Sequence, residues 1–287
     1  MPELPEVELV KQELAPVVNL TITDVVLSNY IYKGHAAGKR TIVKDDLKSF
    51  IDIVTGKTIA HIGRRGKYLY FLISDEFQTT HIVSHLGMSG AYFIVSDFDD
   101  IKEANFKKHW QVIFTLNNGQ KLVYSDIRRF GEMHTHDSLH DFPPFARMAP
   151  EYTDEFSRTH FLQTLRSKKF AEKPVKAAIM DGEVIPGVGN IYAAESLYLA
   201  HILPTKKVKN ISDKRLSELF ERITEVFELS LSRGGSTISD YRSVTGGKGE
   251  MQHSFKVYQQ DKCPLGHELK TKVINTRNTF YCTTCQR

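Results

Sequence analysis

At 287 residues, with 41% hydrophobic and 25% charged residues, the chain is long enough to bury two cores and has a globular composition. It has no run of about 18 apolar residues, and Glu3, Glu6, Glu8, Lys11 and Glu13 fall where a secretory signal would be apolar, so the expectation is a cytoplasmic protein with no membrane segment. The formal net charge is +4, and residues 240–287 hold eight Lys/Arg against four Asp/Glu, which concentrates a basic surface at the C-terminus and suits a polyanionic partner.

The chain opens Met1-Pro2-Glu3-Leu4-Pro5-Glu6-Val7-Glu8. Removal of Met1 would leave Pro2 with a secondary amine beside the Glu3 carboxylate. An α-amino group titrates near pH ~7.7–8, so it needs none of the desolvation that activates a lysine. Attack on a carbonyl or a sugar C1′ would give an iminium that eases proton loss from the neighbouring carbon. The same residues also suit a helix beginning near Pro5, with Glu6 and Glu8 at its positive end and Val7, Val10 and Leu14 on one face.

Short β-rich runs follow to about residue 135, at Ile22–Leu27, Thr58–Ile62, Tyr68–Ile73, Thr80–Val83, Tyr92–Val95, Gln111–Leu116 and Lys121–Tyr124. They read as a β-sandwich or barrel. Asn117-Asn118-Gly119 joins the last two as a hairpin, and Asp97–Glu103 reads as an acidic surface loop. Arg64-Arg65-Gly66-Lys67 puts Lys67 at a strand start. Two loops, His85–Gly90 and Ser125–Gly131, carry Met88, Arg128 and Phe130 among turn-forming residues. Such side chains serve either as core packing with a surface arginine or as wedges filling the stack a base has left.

Around Phe142-Pro143-Pro144 the pattern turns helical, which suggests a hinge over 136–150. Helices are predicted at Asp154–Ser167, Val175–Asp181, Ile191–Ala200 and Asp213–Ser232, the last closed by Gly234-Gly235. In Gly187-Val188-Gly189-Asn190-Ile191-Tyr192-Ala193 two glycines precede a helix, either as a packed turn or as a phosphate site with Asn190 as N-cap. The three cysteines lie near the C-terminus, a usage that fits a metal site in a reducing compartment better than disulfides. Cys263, Cys282 and Cys285 have the spacing of a zinc ribbon, and His267, either an ordinary surface histidine or by its Cys-x3-His spacing the fourth ligand, would complete four fixed ligands around one structural Zn2+.

Together these residues resemble the formamidopyrimidine-DNA glycosylase family of bacterial base-excision repair enzymes, also called 8-oxoguanine DNA glycosylase/AP lyases, over nearly the whole chain. The markers are Met1–Glu8, Gly66-Lys67-Tyr68, His85–Gly90, Asp126–Gly131, Gly187–Ala193 and the terminal ribbon, in family order. The resemblance implies an α+β multidomain protein. Residues 1–135 would be a catalytic β-sandwich with a leading helix, 136–150 a hinge and 151–240 a helix–two-turns–helix DNA-binding domain. Residues 241–254 would cap the flipped base, and 255–287 would form a β-ribbon zinc finger, with DNA held between the lobes.

It implies a monomer that acts on double-stranded DNA holding an oxidised purine, in a bacterial cytoplasm at the nucleoid. Pro2 is then the Schiff-base nucleophile at C1′, Glu3 moves protons at the sugar, Lys67 assists β-elimination, and Arg277 grips the phosphate and is assigned to δ-elimination. A guanidinium hardly deprotonates, so the phosphate grip is the better-founded half of that role. Asn190 matches a phosphate-binding asparagine, His109 a DNA-contacting histidine and Lys173 a backbone-contacting position. Met88, Arg128 and Phe130 match the intercalating trio, Arg128 facing the orphaned cytosine, and Glu6 matches a carboxylate near the lesion pocket.

Two departures stand out: Gly266 occupies the usual second zinc cysteine, leaving His267 to replace it, and Ile127 stands where proline or serine is common. The rival readings are the sibling endonuclease VIII family, whose opening carries glycine where this chain has Leu4, and a non-catalytic damage-binding zinc protein.

Overall fold

A computed structural model describes residues 2–236, 247 and 249–287. The chain divides into two compact units. Unit one takes in Pro2, Glu6–Ala146 and the described part of Gly234–Gly249; unit two takes in Glu3–Pro5, Arg147–Arg233 and Glu250–Arg287. The expected base-capping stretch 241–254 lies outside the described residues at 241–246 and 248.

Unit one opens with α1 (Leu4–Glu13), whose first two residues count with unit two. Val7, Val10 and then Leu14 are buried along one side, as their spacing predicts. The strands are β1 (Ile22–Leu27), β2 (Ile42–Val43), β3 (Thr58–Arg65), β4 (Tyr68–Ser74), β5 (Thr79–His85), β6 (Gly90–Val95), β7 (Trp110–Leu116), β8 (Lys121–Asp126) and β9 (Glu132–His136). They form two sheets, ordered β1-β7-β8-β6 and β2-β9-β5-β4-β3.

Alternation explains the packing. Leu69, Phe71 and Ile73 of β4 and Ile82 of β5 meet Val25, Val112, Phe114, Leu122 and Tyr124 of the other sheet in one core, a sandwich. Gly119 at φ +86° closes the β7–β8 hairpin, as the Asn-Asn-Gly signal predicts.

Between the strands lie three helices that strand alternation does not signal, α2 (Asn29–Ala36), α3 (Leu47–Val54) and α4 (Ala104–Lys108). Each of the first two has a side-chain cap, Ser28 accepting from the Ile31 N–H and Asp46 from the Ser49 N–H. The acidic stretch is not wholly irregular: Phe98–Asp100 forms a 3-10 turn with Asp97 and Asp100 in a capping box.

α5 (Pro143–Arg147) begins on the two prolines, which suit a helix's first turn, and Phe142 is packed 5.3 Å from the Tyr68 ring. The division between the units falls after Ala146.

Unit two is mainly helical, with α6 (Ser157–Arg166), α7 (Lys168–Ala171), α8 (Val175–Ile179), α9 (Asn190–Leu199) and α10 (Asp213–Ser232), followed by an antiparallel ribbon of β10 (Lys270–Ile274) and β11 (Arg277–Tyr281). α6 begins three residues later than the sequence pattern predicts. Asp154 instead makes a turn, its carboxylate accepting the Glu151 N–H at 2.8 Å and its carbonyl the Ser157 N–H at 3.0 Å. α9 is buried on nearly every side, and α10 presents Leu216, Leu219, Phe220, Ile223, Val226 and Phe227 to the same core.

Candidate functional site

The N-terminus of α9 is built around Glu3. The carboxylate is 2% exposed and accepts backbone N–H groups from Gly189 at 2.7 Å, Ile191 at 2.8 Å and Tyr192 at 3.3 Å. The first turn of a helix leaves its N–H groups without intrahelical partners and carries a partial positive charge, so an anion fits there. Glycine makes the approach sterically feasible. A Cβ on Gly189 would lie 2.4 Å from Glu3 Cδ, and one on Gly187, whose φ is +90°, would lie 2.3 Å from Leu4 Cβ.

Asn190 differs from its expected capping role. The N-cap is Gly189, Asn190 is the first helical residue, and its amide is turned to other work. Its Oδ1 accepts from Lys176 Nζ at 2.6 Å and its Nδ2 donates to the Asn278 carbonyl at 3.0 Å.

Lys176 also donates to Thr279 Oγ1 at 2.6 Å, so one ammonium ties α8, α9 and β11 together. Burial pushes its pKa down to about 8; the Glu3 charge opposes that and the nearby Arg277 charge adds to it. Sequence reading missed Lys176. The available signal was a lysine between Val175 and Ala178-Ile179 in an apolar helical run.

Arg277 follows a two-residue turn in which Asn275 (φ +48°) and Thr276 (φ +62°) are both left-handed, the geometry of a tight type I′ hairpin. Thr276, being β-branched, is costly there, so the ribbon tip holds strain beside an exposed arginine. Lys176 therefore ties Asn190 to the strand that carries Arg277, within range of the Glu3 and Arg277 charges. Lys173 takes no part in this: its ammonium sits 4.5 Å over the Phe170 ring, at a groove it lines with Asn275.

In unit one, the loops holding Met88 and Arg128–Phe130 lie against each other. Asp126, fully buried at the end of β8, accepts Ser89 Oγ at 2.7 Å, the Arg128 N–H at 3.2 Å and the Gly131 N–H at 2.7 Å. Met88 is half-buried, whereas Arg128 and Phe130 are exposed, the guanidinium 5.6 Å from the Phe130 ring centre. His109 ends α4 with Nδ1 bonded to the Asn105 carbonyl, and its own carbonyl accepts the Asp126 N–H at 3.0 Å.

Lys67 occupies the turn between β3 and β4 with Gly66, one residue before the strand. Burial, and secondly the Lys67 charge, hold His85 down to about 4, so this histidine is neutral near pH 7. Pro2 is buried. Glu6 is buried too, and accepts from the Ser236 N–H at 2.8 Å and hydroxyl at 3.0 Å, just before the undescribed stretch 237–246.

Cys263, His267, Cys282 and Cys285 bring their ligand atoms within 4.8 Å of one another. Cys263 Sγ lies 3.5 Å from His267 Nδ1 and 3.9 Å from Cys285 Sγ, and His267 Nδ1 lies 3.3 Å from Cys285 Sγ. A tetrahedral Zn2+ with bonds of about 2.3 Å to sulfur and 2.0 Å to nitrogen spaces its ligands by roughly 3.5–3.8 Å, so the set fits zinc. Burial and the neighbouring sulfurs push the Cys285 thiol up to about 11, a crowding of negative charge that a divalent cation relieves. Gly266, at φ +81°, turns the knuckle so that His267 supplies the fourth ligand.

The family model described as the Formamidopyrimidine-DNA glycosylase N-terminal domain matches residues 1–133, and that described as the Formamidopyrimidine-DNA glycosylase H2TH domain matches residues 148–242. The chain is 33% identical to the formamidopyrimidine-DNA glycosylase of Agrobacterium fabrum and 34% identical to that of Oceanobacillus iheyensis. Both alignments cover 100% of this chain, and 100% and 98% of the relatives. Among solved structures, it is similar to a Lactococcus lactis FPG mutant in complex with Fapy-dG-containing DNA, with a TM-score of 0.85, 31% identity and 100% of both chains covered.

Proposed function

The chain belongs to the formamidopyrimidine-DNA glycosylase family, and on that premise we propose how its residues release an oxidised purine from duplex DNA and cut the strand. It is a bifunctional DNA glycosylase and AP lyase of base-excision repair. One observation carries the assignment: the carboxylate directly after Pro2 is held by three amides at a helix N-terminus that only glycines leave open.

With Met1 removed, the Pro2 nitrogen attacks C1′ of the extruded nucleotide as the bond to the damaged base breaks, giving an iminium. Glu3 exchanges protons with the sugar as base departs and ring opens, its charge sustained between steps by the Gly189, Ile191 and Tyr192 amides. Loss of a C2′ proton then expels the 3′-phosphate, assisted by Lys67, and a second elimination expels the 5′-phosphate.

Asn190, bonded to the Asn278 carbonyl beside Arg277, and Arg277 itself hold the backbone phosphates. His109 adds a DNA contact and Lys173 a backbone contact, and Glu6 lies near the lesion pocket. Met88, Arg128 and Phe130 fill the space the base vacates. Cys263, His267, Cys282 and Cys285 hold a structural zinc, whose contribution is to order the ribbon that carries Arg277. The protein works as a monomer at the bacterial nucleoid in the cytoplasm.

The test is a duplex with one 8-oxoguanine opposite cytosine. The expected products are free 8-oxoguanine and a gap with phosphate at both ends; Pro2→Gly loses both while keeping lesion binding. Strand cleavage at the wild-type rate by Pro2→Gly would remove Pro2 from the mechanism.

A further inference from the structure

A wedge that is floppy before it meets DNA must be ordered at the moment of binding. Fixing each backbone residue costs conformational entropy, on top of the unstacking and unpairing that extruding a base requires. The two loops of unit one show how that cost is met in advance.

From Asp126, fully buried at the end of β8, one carboxylate reaches both loops. Oδ1 accepts Ser89 Oγ and the Arg128 N–H, Oδ2 accepts the Gly131 N–H, and Ser89 Oγ accepts the Arg128 N–H at 2.8 Å as well. The loop 127–131 is thus held at both ends and the loop 86–90 at Ser89. The backbones are in direct contact: a Cβ on Gly87, whose φ is +61°, would lie 2.5 Å from the Phe130 carbonyl carbon and 2.6 Å from the Gly131 nitrogen. A Cβ on Gly131 would lie 1.8 Å from the Tyr124 hydroxyl.

Between the two anchors sits Arg129 at φ +60°, left-handed in a residue that is neither glycine nor asparagine. A side chain with a Cβ is strained in that conformation. Its guanidinium lies 3.9 Å from the centre of the Tyr30 ring of α2, a cation–π contact that offsets the strain. Arg129 is thereby committed to α2, while Arg128 and Phe130 on either side of it remain exposed. The Asp126 N–H meets the carbonyl of His109, a proposed DNA contact, so the same residue also fixes that position.

We infer that Asp126 is a positioning residue that sets Met88, Arg128 and Phe130 in one array before DNA arrives, and thereby sets discrimination for the base opposite the lesion. This rests on the reading above that the three side chains enter the duplex. Asp126 touches no reacting atom, so its removal spares chemistry on a substrate that needs no wedge.

The test uses the full chain with its zinc, as wild type, Asp126→Asn and Ser89→Ala. Asp126→Asn replaces one acceptor oxygen with an amide that faces N–H or O–H donors; Ser89→Ala removes one link and leaves the carboxylate bonded to Gly131 and Arg128. Each protein is assayed for single-turnover excision of 8-oxoguanine opposite cytosine and opposite adenine, and for cleavage at an abasic site in single-stranded DNA.

For Asp126→Asn, excision opposite cytosine should fall about 100-fold, the preference for cytosine should collapse toward unity, and single-strand cleavage should stay within about twofold. Ser89→Ala should fall between that variant and wild type. Unchanged excision and preference in Asp126→Asn would overturn the inference, as would equal losses on both substrates, which would mark a purely structural residue. Failure of the wild-type protein to cleave the abasic strand would instead overturn the lyase reading beneath it.

Discussion

Gly189 and Glu3 fit each other as backbone and carboxylate: the Gly189 N–H reaches Glu3 at 2.7 Å, and the space where a Cβ would stand is already filled by Glu3 Cδ. Gly189→Ala should therefore displace the carboxylate. Overpacking of this kind costs about 1–3 kcal/mol, and a misplaced proton-transfer group costs about 100-fold in rate. Thermal unfolding and single-turnover base release should both fall. A variant with wild-type release would detach the geometry from the chemistry.

Lys176 should give stability a distinctive dependence on pH. Its folded pKa is about 8, below the ordinary 10.5. Between those values the unfolded chain holds a proton the folded chain has lost, so stability rises as pH climbs through about 8, and the penalty of the buried charge is felt in full below it. Urea unfolding at constant zinc, on both sides of pH ~8, should show a shallower rise in Lys176→Met. Identical slopes would mean the charge is not what the fold resists.

Parts of this were legible from the residues alone. The seven β-rich runs in unit one appear because alternation is a local signal, and α10 appears because its apolar residues recur at helical spacing. β9 was hidden because Met133 is its one buried residue between Glu132 and His134. α2 was hidden because it buries Ile31 and exposes most of the rest. Glu3, Asn190 and Arg277 were nameable as residues, but the Lys176 ammonium joining Asn190 to Thr279 is a contact across 103 positions that no local pattern encodes. Asn190 read as a cap because asparagine before a helix usually is one; the lysine's demand for an acceptor won.

His267 stands in for the missing second cysteine, so zinc should depend on it. Metal analysis should find one zinc per chain, lost on His267→Ala. Mutating even a residue that only supports a ligand typically costs 10–100-fold in metal affinity, so losing the ligand itself should cost at least as much, and with the ribbon disordered, DNA binding should weaken by about tenfold or more. Full zinc in His267→Ala would place the fourth ligand elsewhere.

Arg277 is exposed at a strained hairpin tip and proposed to hold phosphate. Arg277→Ala should weaken binding to lesion and undamaged DNA alike and lower the slope of log affinity against log salt by about 1. An unchanged slope would deny it a phosphate.

Borohydride trapping on a duplex with one 8-oxoguanine opposite cytosine, beside a thymine-glycol duplex, tests the central claim most directly. The account predicts a covalent adduct on the first duplex, with the DNA remnant mapped to Pro2 in the N-terminal peptide. No adduct from protein shown to lack Met1, or an adduct mapped to a lysine, would contradict it, and trapping on thymine glycol alone would move the substrate to oxidised pyrimidines.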